Sequence, residues 1–527
     1  MKKSAKWATA PNILLIIAAA ALLAASVGVG TDIAAKKKQA AEEEKLEQAS
    51  LVLYDGPKSL KDAGAEDLVN TSEKGRDMSL MHCTDTKITV NGYDCYVYDT
   101  NVNHTRQWVD NYLPPLSRTP VAYFDFEGAA RIEIEITSED IELEQVKVSP
   151  LSRGIQAEVD QEARTVSFLI TQPDFYTVTF NDAPERAVHI FAGEIEKDLP
   201  DFEDDQVIYI GPGEWDIESI VPEDGQTIYL AGGAVVHGII NANYAKDITI
   251  RGRGIIDGSK LEGWKGKEAY IPLKFDHCSN IKIQDVIVLN PNAWACQAFD
   301  SDNGTIEGLK IISARPNGDG ISLQSCSGYR VADCFVRSWD DSLVVKNYDK
   351  SSREIVFENM QLWTDFAQSM EVGYETNKGQ QENAVIEDVA FRNITVLNNF
   401  HKPVISIHNA DDARVYDITF QDITVENAQM GSGDGSEMPY LIDMHIAQSS
   451  NWSSTKERGS ISDIIVENVT VLSGKNCKSR IAGYDAAHKI SNVNISNLSV
   501  LGKKITDFEQ GGFEIEEETT EGITIGG

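Results

Sequence analysis

Four stretches decide the fold: DVAFRNITVLN (388–398), DITFQDITVEN (417–427), DIIVENVTVLS (463–473) and NVNISNLSVLG (492–502). Each alternates apolar and polar residues with period two, the period of an extended strand whose successive side chains point to opposite faces. An Asn or Asp sits between the two halves of each stretch, where a chain turns a corner. The pattern extends backwards through DITIRGRGIIDG (247–258), NIKIQDVIVLN (280–290), GLKIISA (308–314) and EIVFENMQL (354–362). Starts a few tens of residues apart are the signature of a solenoid in which each repeat is one coil. The 3.6-residue period of an amphipathic helix is missing, so leucine-rich and helical solenoids fit poorly. The predicted fold is all-β, a right-handed parallel β-helix over 201–506.

Ahead of it, residues 84–200 alternate with the same period in short runs such as Val121–Phe126, Ala130–Thr137 and Val166–Ile170, broken by Ser149-Pro150 and Asp182-Ala183-Pro184. Short strands at this spacing predict a small antiparallel β-sandwich. Residues 36–83 read as a linker, because KKKQAAEEEKLEQAS (36–50) has helical composition and no apolar face. Residues 507–527, rich in Glu, Thr and Gly, read as a disordered acidic tail. At the start, Lys2, Lys3 and Lys6 precede a nearly continuous apolar run from Ile13 to Val29, and Lys36-Lys37-Lys38 follow it. Residues 1–35 therefore read as a signal peptide or a membrane anchor through 13–30, and the protein as secreted or cell-surface.

The formal net charge of −35 excludes nucleic acid as a partner and counts against anionic lipid. Seven cysteines is an odd number. Cys83 with Cys95 and Cys326 with Cys334 could pair in an oxidising compartment, but the preferred reading is small apolar side chains inside the coil. No Cys/His cluster has metal-ligand spacing.

Chemistry enters at Asn317-Gly318-Asp319-Gly320 and Trp339-Asp340-Asp341. One coil separates Asp319 from the pair, and adjacent parallel strands lie about 4.8 Å apart, so three carboxyls crowd on one ridge. Such crowding holds one carboxyl protonated beside an ionised one, the division of labour that cleaves a glycosidic bond. Two neighbours on a regular strand face opposite ways, so Asp340 and Asp341 share a surface only if the chain bends there.

The region from Val207 to about Val500 resembles the polygalacturonase-type glycoside hydrolases (family 28) and the related dextranases and isopullulanases (family 49). The resemblance rests on Ile210-Gly211-Pro212-Gly213, LAGGAVVHG (230–238), RGRGIIDG (251–258), Asn317-x-Asp319 and Asp340-Asp341. It implies that Asp340 protonates the leaving oxygen, while Asp319 and Asp341 activate a water, with inversion. A one-coil separation is shorter than the roughly 6.5–9.5 Å usual for inversion, so that outcome rests on the resemblance. Two family elements are missing. Where the family has Gly-His-Gly, this chain has Ala367-Gln368-Ser369 followed by Met370 and Glu371, and where it has Arg-Ile-Lys, Ser406-Ile407-His408 stands. Without that Arg and Lys a uronate loses its anchor, and a neutral, dextran-like glycan is favoured.

Candidate substrate contacts are Asn317, Trp339, Gln368, Glu371, Tyr374 and His408, with Trp294 as a further ring for sugar stacking. Lys346 could orient a carboxylate or bind substrate, with a surface lysine as the preferred reading. No cofactor or metal is called for, because carboxylates suffice. The expected partner is a polysaccharide or oligosaccharide. The rival readings are a pectin-degrading enzyme, including a calcium-dependent lyase on the same fold, and a non-catalytic β-helix that binds glycan.

Overall fold

The computed structural model describes residues 16–17, 45–63, 79–103, 117–139, 141–181, 183–261, 270–429, 440–448 and 451–526. Apart from Ile16–Ile17, the segment 1–35 read as signal or anchor lies outside the described residues. A parallel β-helix runs from Val207–Ile210 to Thr520–Gly526 as one sheet of 28 strands. Register stacks like on like: Ile394 lies over Ile423, then Val469, then Leu498. Phe357, Phe391 and Phe420 form a flat stack with centroids 5.0 and 4.9 Å apart. Each aliphatic side chain fully buried this way contributes about 1.5–3 kcal/mol.

The corners explain the recurring Asn and Asp. Asp388 and Asn393, Asp417 and Asp422, Asp463 and Asn468, and Asn492 and Asn497 all have φ between 49° and 57°. This is the left-handed region, which Asn and Asp tolerate better than other side chains. Their side chains also bond from coil to coil, Asn468 Nδ2 donating to Asp422 Oδ1 at 2.8 Å and Asn497 Nδ2 to Asn468 Oδ1 at 2.8 Å.

The N-terminal unit is a two-sheet sandwich packed along one flank of the β-helix. Strand Ser117–Glu127 is buried along almost its whole length because both its faces are covered. Ala122, Phe124 and Phe126 enter the sandwich core, while Val121 and Tyr123 join Val235, Ile287, Phe335 and Trp363 at the seam. At that seam the fully buried Arg337 bonds Asp365 through Nε at 3.0 Å and Nη2 at 3.3 Å, and its guanidinium lies 4.4 Å from the Trp363 ring. Nη1 also reaches His189 Nε2 of the sandwich at 3.2 Å. Burial and the Arg337 charge hold His189 well below its usual range. The ring is therefore neutral, accepting at Nε2 and donating from Nδ1 to Thr177 Oγ1 at 2.9 Å.

Three expectations need correction. Ser50–Leu53, inside the segment read as a linker (36–83), is a strand that pairs with Ser117–Glu127. The sandwich is not wholly antiparallel, because Ala183–Glu194 runs parallel to Ser117–Glu127. Residues 507–526 are not a disordered tail: Phe513–Ile515 and Thr520–Gly526 pair in parallel with Lys478–Ala482 and Ile490–Val500, and Ile523 and Ile525 pack on the core. The Ile-Thr-Ile alternation at 523–525 is the strand signal, masked by surrounding Glu and Thr. All seven cysteines are free and buried, as the reading of small apolar side chains expects, and neither pairing forms.

Candidate active site

One face of the β-helix carries Cys296–Phe299, Ile321–Gln324, Leu343–Lys346, Met370–Tyr374, Ile405–Asn409, Tyr440–Ile446 and Lys478–Ala482 as successive rungs. Asp319 and the pair Asp340-Asp341 lie in the turns that enter two adjacent rungs. Backbone bonds from Gly320 N to Asp341 O at 2.8 Å and from Ser342 N to Gln368 O at 2.9 Å place Asp319, Asp341 and Gln368 in one row.

The local sequence dictates these turns. Asn317 takes φ 56°. A Cβ on Gly320 would lie 2.4 Å from the Ser342 carbonyl oxygen, so the next coil approaches too closely for any other residue. The doublet sits in a bend between Phe335–Ser338 and Leu343–Lys346, which brings both carboxyls to one side. Beneath it runs a row of hydroxyls, Ser338 to Ser342 at 2.7 Å, Ser342 to Thr364 at 2.8 Å and Thr364 to Ser369 at 2.8 Å, closed by Asn399 Nδ2 at 2.9 Å. Ser338 also donates to the Asp340 carbonyl at 2.7 Å. This buried lattice fixes the bend.

Asp319 and Asp341 are buried, and Asp340 is partly open to solvent. Burial, then the charge of Asp340, lifts Asp319 well above the usual carboxylate range, against the pull of Lys346. Asp341 is pushed up to about 7 by burial, Asp340 and Glu371, opposed by Lys346 and Lys402. Burial also raises Asp340, but Lys402, Lys346 and the backbone N–H groups of Asp341 and Asn317 stabilise its anion. The site thus holds a shared proton near neutral pH, as three repelling carboxyls must.

Lys346 is not a surface lysine. It is buried, with Nζ 3.2 Å from Glu375 Oε2, and Tyr348 donates to the same carboxylate at 3.3 Å. Burial works against its charge, but Glu375, Asp319 and Asp341 hold it well above the usual lysine range. Its removal has a predictable sign. In Lys346→Met every carboxyl of the trio loses a stabilising cation, so the acidic limb of the kcat/KM–pH profile moves up by about one unit. An unmoved limb would contradict this role.

The expected substrate contacts separate into two groups. Asn317, half-buried, reaches the site through its backbone N–H to Asp340. Tyr374 is half-buried beside the same rungs, and Trp294, also half-buried, precedes Asp319 by one coil in the same row. The others do not face the groove. Trp339 is fully buried with its ring 4.6 Å from Phe366, because the bend that exposes Asp340 turns the preceding side chain inward. Gln368 is buried, and its contribution is a backbone N–H to Asp341 Oδ1 at 3.2 Å. Glu371 and His408 have no exposed surface and form a buried ion-pair contact, His408 Nδ1 lying 2.9 Å from Glu371 Oε2.

Sequence reading missed Glu375, Lys402, Asp443 and Arg480. Lys402 Nζ lies 4.7 Å from the Phe366 ring, beside the doublet. Asp443 and His445 were signalled by alternation, since Ile442 and Met444 point inward and leave the residues between them outward. The other three come together only through register between coils of unequal length.

The family model for glycosyl hydrolases family 28 matches residues 233–511. A probable polygalacturonase from Vitis vinifera is 25% identical over 203 residues, covering 35% of this chain and 40% of that protein. A polygalacturonase from Brassica napus is 27% identical over 145 residues, covering 25% and 35%. The chain thus spans about two fifths or less of the curated relatives it matches. Among solved structures, Dex49A from Penicillium minioluteum superposes with a TM-score of 0.59 at 13% identity, covering 88% of this chain and 98% of that one. At that identity the likeness concerns the fold.

Proposed function

The chain belongs to glycosyl hydrolases family 28, and from that premise we propose that it is an exported enzyme that hydrolyses a neutral glycan with inversion. The observation that carries this reading is the row of three crowded carboxyls, one open to the groove and two behind it. Asp340, the open one, donates the proton to the leaving oxygen. Asp341 and Asp319 orient and deprotonate the water. Asp340 alone of the three is partly open to solvent, and Lys402 and Lys346 oppose the rise that burial causes. A sugar chain lying over it removes that solvent, raising its pKa towards a proton donor's range. Loss of the proton from the Asp319–Asp341 side completes the base.

Neutrality of the substrate is supported by what holds the cations. Lys346 is engaged by Glu375, and Arg480 is bonded twice by Asp443, at 2.8 and 2.7 Å. Neither has a spare charge for a uronate. A second reading, galacturonan, is favoured by Lys402 beside the doublet and by the polygalacturonase relatives. Export is supported by the basic start and the apolar run to Val29. No helix among the described residues is long and apolar enough to cross a membrane.

The test offers the whole protein dextran, pullulan, polygalacturonate and rhamnogalacturonan, and reads reducing ends, absorbance of unsaturated ends and the anomeric NMR signal of the first product. A neutral glucan cleaved with inversion is expected. Cleavage of polygalacturonate alone would establish the second reading, and unsaturated ends would overturn hydrolysis.

A further inference from the structure

Beyond the aspartates, the next four rungs each carry a charged or titratable side chain near one line, Glu371, His408, Asp443 and Arg480. Glu371 pairs in register with Ser406, Ser406 with Asp443, and Asp443 with Arg480. His408 stands one coil from Glu371, opposite Gly373, where a Cβ would lie 2.0 Å from the His408 carbonyl oxygen, so the two backbones approach closely here. His408 presents Nδ1 to Glu371 Oε2 at 2.9 Å and Nε2 to Asp443 Oδ2 at 3.1 Å. Only the Nε2 contact is a hydrogen bond; at Nδ1 the short distance to Glu371 is an ion-pair contact, and a carboxylate beside each nitrogen favours the imidazolium. Asp443 is then closed off by the two bonds from Arg480. His445 Nδ1 lies between Arg480 Nη2 at 3.0 Å and Asp443 Oδ1 at 3.3 Å, and burial and the charge of His408 hold His445 below its usual range. Tyr374 covers the line, stacked 4.3 Å from His408.

Glu371, His408 and Asp443 have no exposed surface, although they sit on the sheet's outward face. They therefore cannot bind a sugar directly. His408, Asp443 and His445 offer ligand atoms within 4.8 Å of one another, a spacing a metal ion could use. Here the Arg480 guanidinium and the Nε2 side of His408 already engage the Asp443 oxygens a cation would need. What remains is electrostatic: charges alternate from Glu371 to Arg480, and the line starts three residues after Gln368, the row neighbour of Asp341.

We propose that His408 is a positioning residue, a fixed imidazolium that neutralises Glu371 and so lets Asp341 ionise beside it. This rests on Asp341 acting as the base. The groups that bear on Asp341 are Asp340, Glu371, Lys346 and Lys402, and those around His408 are Glu371, Asp443, His445, Tyr374 and Arg480. Burial disfavours the imidazolium, but Glu371 and Asp443 raise His408 to about 9, so it stays charged through the neutral range.

The experiment compares kcat/KM–pH profiles of the full protein and of His408→Gln, Glu371→Gln and the double variant on the preferred glycan. His408→Gln leaves the Glu371 charge uncompensated and moves the acidic limb up by about one unit. Glu371→Gln removes the repulsion and moves it down, and the double variant returns near the parent. Equal losses in kcat with an unmoved limb, or shifts in one direction, would overturn the proposal. So would loss of the parent's activity on chelation and its recovery with a divalent ion. Nitrogen-15 NMR of the histidine rings at pH 7.5 should show a buried ring protonated on both nitrogens, absent from His408→Gln. Its absence from the parent would overturn the proposal even if a variant fails to fold. Asp341→Asn runs alongside: if it keeps parental activity, the reading of Asp341 fails, and the NMR result still decides the charge on His408.

Discussion

Replacing Asp340 by Asn lowers kcat on the preferred polysaccharide by about 10³-fold or more, with KM little changed. General acid catalysis is worth about 10²–10⁴. Here the amide keeps the side chain's size and its bonds to the N–H groups of Asp341 and Asn317. What it loses is the transferable proton, and an unprotonated glycosidic oxygen is a poor leaving group. The proton donor can be told apart from the base by the leaving group. An aryl glycoside that departs as a stabilised anion needs no proton, so Asp340→Ala should cleave it at a rate near the parent's. Asp341→Ala, which lacks the base, should stay slow on both substrates. Parental kcat in Asp340→Asn would remove the residue from the chemistry. Equal defects of both variants on the aryl glycoside would leave their roles interchanged or shared.

The second large effect is on stability. Arg337→Leu is expected to lower the unfolding free energy by about 3–5 kcal/mol, the usual consequence of stripping one partner from a buried ion pair. Asp365 would keep its bond from Trp363 Nε1 at 2.9 Å and lose both guanidinium bonds, in a place where neither side chain of the pair has exposed surface. His189 would lose its donor as well, so the damage falls where the sandwich meets the β-helix. Urea unfolding followed by tryptophan fluorescence reads this directly, because Trp363 lies under the guanidinium. The double variant Arg337→Leu/Asp365→Leu should recover much of the loss, since it removes both charges together. If the single variant unfolds at the parental midpoint, the pair does not hold the seam.

How much of this was legible in the sequence follows from what each feature depends on. The β-helix was legible because its core is built by alternation within a strand, a local pattern. The corners were legible for a similar reason, since a left-handed residue selects Asn or Asp by its own backbone. Asp319 and the doublet were legible because their coils are short. Glu375, Lys402 and Arg480 were not, because contacts across long turns depend on which residues come into register, and no local signal records that. Trp339, Glu371 and His408 show the complementary error. An aromatic or polar residue beside the aspartates suggests a sugar contact, yet burial depends on the bend and on the rings above, which one strand's sequence does not encode. The last rung was missed because composition outweighed a three-residue alternation.

The pairing of Ile321 with Leu343 spans 22 positions and that of Met370 with Ile405 spans 35, yet both put neighbouring rungs one strand apart. The ladder spaces the rungs, whatever the length of the segment that leaves the wall and returns. Loops that leave the wall elsewhere than at the two aspartate turns are thus free to lengthen or shorten without moving the three carboxyls relative to one another. Evolution, or an engineer, can redraw the banks of the groove while its bed stays where it is.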